Sequence, residues 1–207
     1  MFTGIINGVF KLHSVVRKQE FMTIEIQLNE SLCQGLESGA SVAVNGVCLT
    51  VTSVDAEGHI ASFDIMQETL RATNLGSLQK GTAVNIERAA RFGDEIGGHL
   101  LSGHVHDKVT IQEVIKSENN TTLVFKFDPC WQDYIQPKGY IALNGTSLTV
   151  GEQVQKGTFC VHLIPETLRL TTFGSAEKGS QINLEIDSQT QAVVNTVKAY
   201  LESQSSN

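Results

Sequence analysis

Two short stretches of the chain carry side chains suited to proton and group transfer. In VNGVCLTV (Val44 to Val51) and LNGTSLTV (Leu143 to Val150), an Asn-Gly pair leads into alternating residues. A strand period of two turns Cys48 and Thr50 away from Leu49, and Ser147 and Thr149 away from Leu148. A thiol or hydroxyl beside a second hydroxyl can orient a polar ring, relay a proton, or act as a nucleophile once a base stands near. In an arbitrary barrel such a face is simply solvated, and duplication would also preserve a purely structural turn. Recurrence behind the same Asn-Gly turn weighs toward function.

The histidines are His13, His59, His99, His104, His106 and His162, three of them within GGHLLSGHVHD. His104 and His106 share one side of a strand, but a soft further ligand at a familiar spacing is missing, so no metal site is expected. Aligned with the rest of the chain, Ser102-Gly103-His104 falls on Thr3-Gly4-Ile5, placing an imidazole where the first stretch is aliphatic. Asp187 falls on Ala89 and reads either as a chemical group or as the acid that starts a helix. Lys138 falls on Gly39, as a ligand contact or a solvated turn lysine. These differences between otherwise equal segments suggest divided labour.

The elements that must position these groups come from a duplication. The two Asn-Gly stretches match at an offset of 99 residues; downstream, ETLRATNLG (Glu68 to Gly76) meets ETLRLTTFG (Glu166 to Gly174), and Asn85-Ile86-Glu87 meets Asn183-Leu184-Glu185, at an offset of 98. Met22, Ile24, Ile26 and Leu28 alternate with polar residues and fall on Leu123, Phe125 and Phe127. Many short strands with no long helical pattern between them predict an all-β fold of small antiparallel barrels or sandwiches. The first copy is expected over 1–97 and the second over 98–187, linked by Arg88 to Gly98, with short helices or turns at Glu30 to Leu36 and Cys130 to Ile135. Over 188–207, Val193, Val194, Val197, Tyr200 and Leu201 form one face at helical spacing, and Ser188 with Gln191 has the form of a capping box. That stripe needs a cover, either its own barrel or the same helix of other subunits, the second being preferred. Gln204 to Asn207 should fray.

Composition narrows the partners. The 207 residues hold 15 Lys and Arg against 22 Asp and Glu, a net charge of −7, which disfavours nucleic acid and anionic membranes. No window is apolar for the length a membrane span needs, and the start lacks the form of a signal peptide, so a cytoplasmic protein is expected. Four scattered cysteines without a C-x-x-C pair should be reduced.

MFTGI, GASVAVNGVCLTV, ETLRATNLG, GGHLLSGHV, NGTSLTV, HLIPETL and NLEIDSQTQAVV, in that order, resemble riboflavin synthase of the bacterial type from Met1 to the terminal helix. The resemblance implies two tandem homologous six-stranded antiparallel Greek-key β-barrels plus a C-terminal α-helix, assembled as a homotrimer. It implies transfer of a four-carbon unit between two molecules of 6,7-dimethyl-8-ribityllumazine, giving riboflavin and a ribitylaminouracil with no cofactor. A first pocket would use Gly4, Ile5, Ile6 and Ser41, then Cys48, Leu49 and Thr50, with the extended run Asp64, Ile65, Met66, Gln67, Glu68 and Thr69. A second would use Gly103, His104, Val105 and Lys138, then Ser147, Leu148 and Thr149, with His162, Leu163, Ile164, Pro165, Glu166 and Thr167. Two copies of the substrate would meet there, Ser147 with Asp187 and His104 serving the acceptor, Cys48 and Thr149 assisting proton transfer. Asn144 departs from an aspartate common in the family and is read as a turn residue; Gln67 replaces a lysine of some relatives. A non-catalytic lumazine- or flavin-binding antenna protein is the strongest rival. A flavin reductase barrel lacks support, because its Arg-x-Tyr-Ser type motif is absent.

Overall fold

The computed structural model describes residues 1–205. The alternating segments form strands β1 (Gly8–Arg17), β2 (Phe21–Gln27), β3 (Ser41–Val44), β4 (Val47–Asp55), β5 (Ile60–Met66) and β6 (Ala83–Arg88), closed into a barrel in the order β1-β2-β5-β4-β3-β6. The second copy repeats this with β7 (Asp107–Lys116), β8 (Thr121–Lys126), β9 (Tyr140–Leu143), β10 (Thr146–Gln155), β11 (Thr158–Leu163) and β12 (Gln181–Ile186), in the same cyclic order. In each barrel the last strand returns beside the third, the Greek-key connection. Every pairing is antiparallel.

Alternation explains why these strands bury one face. Met22, Ile24 and Ile26 of β2 and Phe63 and Ile65 of β5 fill the first core; Leu123, Phe125 and Phe159 fill the second. Phe125 and Phe159 stack with centroids 5.2 Å apart. The two-residue turns joining β3 to β4 and β9 to β10 have positive φ at both positions, 46° and 79° at Asn45-Gly46 and 46° and 78° at Asn144-Gly145. Asparagine and glycine tolerate that conformation, whose twist matches a hairpin. Asn144 is thus a turn residue, as its sequence context predicts.

The two barrels meet through these turns. A side chain on Gly46 would stand 2.5 Å from the Gly145 amide nitrogen, so the turns touch backbone to backbone. Around them lies a buried amide network related by a pseudo-twofold axis. Asn144 Oδ1 accepts from Asn74 Nδ2 and from the Asn183 amide, each at 2.9 Å. The Asn74 amide donates to Asn183 Oδ1 (2.7 Å), and the matching Thr172 amide donates to Asn85 Oδ1 (2.8 Å). Asn85 Nδ2 reaches the Asn144 carbonyl and Asn183 Nδ2 the Asn45 carbonyl. Phe2, Ala43, Leu101 and Ala142 add a small apolar cluster between the barrels.

Short helices complete the molecule: α1 (Glu30–Cys33), α2 (Gln67–Ala72), α3 (Pro165–Leu170) and the terminal α4 (Ser188–Ser205). The region expected to be a turn at Cys130 holds a 3-10 turn, Pro129–Trp131. Helix α4 is capped by Asp187 rather than by the anticipated Ser188 box: Asp187 Oδ2 accepts from the Thr190 amide and hydroxyl, both at 2.8 Å. Against its own barrel α4 makes polar contacts, Lys198 to Asp133 (2.8 Å) and Asn195 to the Tyr134 hydroxyl (2.7 Å). Its stripe of Val193, Val197, Tyr200 and Leu201 stays exposed within the single chain. Gln204 and Ser205, expected to fray, continue the helix; Ser206 and Asn207 lie outside the described residues.

Candidate functional site

The segments before the two barrels cross. Phe2 and Leu101 exchange backbone hydrogen bonds of 2.9 Å, an antiparallel bridge lying between the domains. Past that bridge each segment runs onto the barrel of the other copy. The Ser147 amide donates to the Gly4 carbonyl at 2.9 Å, and the Cys48 amide to the Gly103 carbonyl at 2.9 Å. Both glycines have φ near the left-handed region, 75° and 78°, and a β-carbon on either would fall 2.5 Å from Ser147 Cβ or 2.6 Å from Cys48 Cβ. Val105 packs against the first core.

The expected grouping is therefore corrected within one chain. Gly4 and Ile5 complete the surface at Ser147; Gly103 leads His104 and Val105 to the surface at Cys48. The repeat alignment pairs each segment with its own copy, but pairing across the pseudo-twofold axis satisfies the same backbone groups while covering the interface.

One concavity, a cleft of about 390 Å³, brings Ile5, Lys138, Ser147, Leu148, Thr149 and His162 together beside Gly97, Gly98 and Tyr140. Buried behind its lining is a residue that the sequence reading left unassigned: His99 Nδ1 lies 2.7 Å from Ser147 Oγ. The His99 ring stacks on Tyr140, centroids 4.9 Å apart and planes 19° apart. Burial pushes the His99 pKa below its ordinary value, and the charge of Asp187 offsets part of that. His99 Nε2 is buried without a partner; the neutral tautomer with Nδ1 unprotonated accepts a hydrogen bond from the Ser147 hydroxyl, and the other tautomer donates to it. His99 stands one position ahead of the residue that aligns with Met1 and has no counterpart in the first copy, so comparison of the copies passes over it. Asp187 Oδ2 bonds the Thr190 amide and hydroxyl rather than Ser147, and its charge reaches His99.

The corresponding surface of the first barrel is built from the same elements with different side chains. Cys48 is half-buried, and Ser41 stands opposite Thr50 in register. Thr23 donates to Asp64 at 2.7 Å, where the second barrel has Thr122 against His162 Nδ1 at 2.8 Å. Cys160 Sγ lies 3.9 Å from His162 Nε2.

Several residues differ from their expected setting. The runs 64–69 and 162–167 are not continuous strands: β5 ends at Met66 and β11 at Leu163, and α2 and α3 begin at Gln67 and Pro165. Proline at the first helical position has its φ preset and lacks only an amide hydrogen that would go unused. Gln67, Glu68 and Thr69, like Glu166 and Thr167, therefore present helical backbone, and Glu166 is paired with Arg169 at 2.6 Å. Leu49, Ile65 and Leu163 are buried in the barrel cores, leaving only their backbone to face a ligand. Lys138 is exposed and paired with Glu152 at 3.1 Å. Ile6 is half-buried; Met66 and Ile164 are each 60% exposed at the mouths of matching helices. Among the described residues no cluster of three or more His, Cys, Asp or Glu side chains is placed to hold a metal ion. No helix among the described residues is long and apolar enough to cross a membrane.

Comparison with known proteins agrees with this architecture. A family model, the lumazine binding domain, matches the chain twice, over 3–89 and 102–187. The chain is 53% identical over 202 residues to riboflavin synthase of Escherichia coli strain K12, covering 97% of this chain and 93% of that protein. It is 41% identical over 203 residues to riboflavin synthase of Chlamydia pneumoniae, covering 98% of each. Among solved structures it is similar to LumP complexed with riboflavin, with a TM-score of 0.83 and 25% identity, over 90% of this chain and all of that one.

Proposed function

The chain belongs to the riboflavin synthase family, and from that premise we propose that it converts two molecules of 6,7-dimethyl-8-ribityllumazine into riboflavin and 5-amino-6-(D-ribitylamino)uracil. One observation carries this reading: matching surfaces on two barrels of the same build carry different side chains. Cys48, Ser41, Asp64 and His104 serve one; Ser147, Tyr140, His162 and Ile5 serve the other. Two copies of one substrate call for two similar pockets, while making one molecule the donor and the other the acceptor calls for different groups. The two substrates together contain every atom of the two products, so the exchange is balanced without a co-reactant.

Positioning two rings face to face removes much of the entropic barrier. Backbone of β5 with α2, and of β11 with α3, suits the alternating donors and acceptors of the pyrimidinedione edge, and Lys138 with the hydroxyls of Thr50 and Thr149 suits the ribityl chain. Ser147, its proton accepted by His99, activates a nucleophile on the acceptor, and Asp187 tunes that histidine. Cys48, Thr149 and His104 assist proton transfer from and to the ring substituents. The Ser147 and Cys48 pockets meet between neighbouring subunits of a homotrimer in which the exposed stripe of α4 is covered. Four unpaired cysteines suit a reducing cytoplasm.

Incubation of the purified protein with 6,7-dimethyl-8-ribityllumazine alone tests the reading. Riboflavin should appear, one molecule for two of substrate, followed by absorbance and product mass. Tight binding without turnover would move the assignment to a binding-only relative.

A further inference from the structure

We propose that Glu87 and Glu185 are positioning residues that act crosswise: each is seated in one barrel and sets the backbone that completes the pocket of the other. The inference rests on the reading of the Cys48 and Ser147 strands as the two substrate pockets.

Both carboxylates are nearly sealed from solvent, Glu87 at 3% and Glu185 at 5% exposure. Burying a carboxylate is costly unless donors surround it, and burial indeed pushes the Glu87 pKa up while bonds from Thr3 and Gly4 pull it back. A barrel wall needs no charge at these positions. Both carboxylates are instead spent on one kind of contact. Glu87 accepts from the Thr3 amide (2.6 Å), the Thr3 hydroxyl (2.8 Å) and the Gly4 amide (3.1 Å). Glu185 accepts from the Ser102 amide and hydroxyl (2.8 Å each) and the Gly103 amide (3.2 Å). Each hydroxyl passes the constraint on, Thr3 Oγ1 accepting from the Ile5 amide (3.2 Å) and Ser102 Oγ from the His104 amide (3.1 Å).

The direction of the constraint gives it meaning. Glu87 belongs to β6 of the first barrel, but the Gly4 carbonyl it fixes accepts from Ser147 of the second, and Ile5 lines that cleft. Glu185 belongs to β12 of the second barrel, but Gly103 accepts from Cys48 of the first. At Glu87 one oxygen takes both Thr3 donors and the other the Gly4 amide, so a glutamine, with one acceptor oxygen, turns a donor toward Gly4 and leaves that amide without its partner. At Glu185 the Gly103 amide is shared by both oxygens at 3.2 Å, so a glutamine there replaces one of its two acceptors by a donor and weakens the contact. Charge-assisted bonds to backbone amides are the stronger kind, so the glycine turn is held against displacement.

The test uses the full chain. Glu87→Gln and Glu185→Gln are compared with wild type by amide resonances after selective 15N labelling of serine and of cysteine, without substrate, and by steady-state kinetics with 6,7-dimethyl-8-ribityllumazine. Glu87→Gln should move the Ser147 amide resonance and leave that of Cys48; Glu185→Gln should do the reverse. Each should lower kcat by about 10- to 100-fold, the scale of a small misplacement at a reacting centre, with a smaller change in KM. Should either variant fail to fold, Thr3→Val and Ser102→Ala keep the carboxylate, remove only the relaying hydroxyl, and should give the same crossed pattern at smaller amplitude. Shifts confined to the variant's own barrel, equal shifts at both sites, or crossed shifts with unchanged kcat would each overturn the proposal. Because resonances are read without substrate, a wild-type protein inert toward the lumazine would sink the assigned reaction alone; uncrossed shifts in an active protein would sink this inference alone.

Discussion

Replacing Gly103 by alanine, with Gly179→Ala as its partner, weighs the crossing directly. Both glycines have positive φ, 78° and 93°, so each alanine incurs the left-handed backbone cost of about 1–2 kcal/mol. They differ in surroundings. A β-carbon at Gly179 meets nothing within 4 Å, whereas one at Gly103 stands 2.6 Å from Cys48 Cβ and 2.9 Å from both the Cys48 amide nitrogen and the Phe2 ring. Two of those neighbours are held by backbone and cannot swing away, so overpacking adds about 1–3 kcal/mol. Gly103→Ala should thus lose about 2–5 kcal/mol and Gly179→Ala about 1–2 kcal/mol. For a chain of this size these correspond to roughly 4–20 °C and 2–8 °C in Tm. Scanning calorimetry at matched protomer concentration measures both, and the lumazine assay should find activity lost at 103 and retained at 179. Equal losses for the two variants would mean that Gly103 does not stand against Cys48, and the crossed assignment of the pockets would fall.

His99→Phe keeps a ring on Tyr140 but cannot titrate. Burial holds the folded histidine below its ordinary value of 6.5, so the unfolded chain protonates first as pH falls; wild-type stability should be level above about 6.5 and decline below it, more steeply than in the variant. Parallel urea-midpoint profiles between pH 7 and 5 would contradict that. Asn74→Ala strands the partners in the amide network and should cost about 1–3 kcal/mol, with a non-additive double mutant with Asn183→Ala; simple additivity would show that the two amides do not cooperate. Removing the residues after Asp187 should turn a trimer into monomers with both barrels folded, and light scattering showing an unchanged trimer would place the association elsewhere. Mixed trimers of a Cys48/Thr50 double variant with a Ser147/Asp187 double variant should regain activity if the pockets meet between subunits; mixed assemblies no more active than either parent would refute it.

The duplication, the strand alternation and the apolar face of the last helix were all legible, because each rests on a local period of the chain. Asn45 and Asn144 were legible as turn residues too, since their conformation is decided by two neighbouring positions. Their second task was not, because nothing local distinguishes an asparagine that shapes a turn from one whose backbone carbonyl also accepts from Asn183 or Asn85 across an interface. The pairing of Gly4 with Ser147 spans 143 positions, and the repeat suggests a same-copy arrangement that is equally consistent with every residue type involved. His99 escaped for the opposite reason, standing outside the repeat with no counterpart to reveal it. Helices α2 and α3 have six residues each, too few to establish a helical period, so the end of the preceding strand was overrun.

The bridge between Phe2 and Leu101 also governs the order in which the molecule can be made. The residues ahead of the first barrel find their place late, for the Gly4 carbonyl waits on the amide of Ser147. At about 5–20 residues per second, that wait lasts roughly 7–30 s, long after the strands of the first barrel have emerged and can close. During the interval a nascent chain exposes Phe2, Ala43 and the amides around the Asn45-Gly46 turn of its first barrel to whatever stands nearby. On a crowded polysome the nearest complementary surface is the same first barrel on an adjacent nascent chain. The rate of translation through the second copy therefore competes with mispairing, and slow codons in that half of the message should lower the yield of correctly assembled protein without changing a single residue.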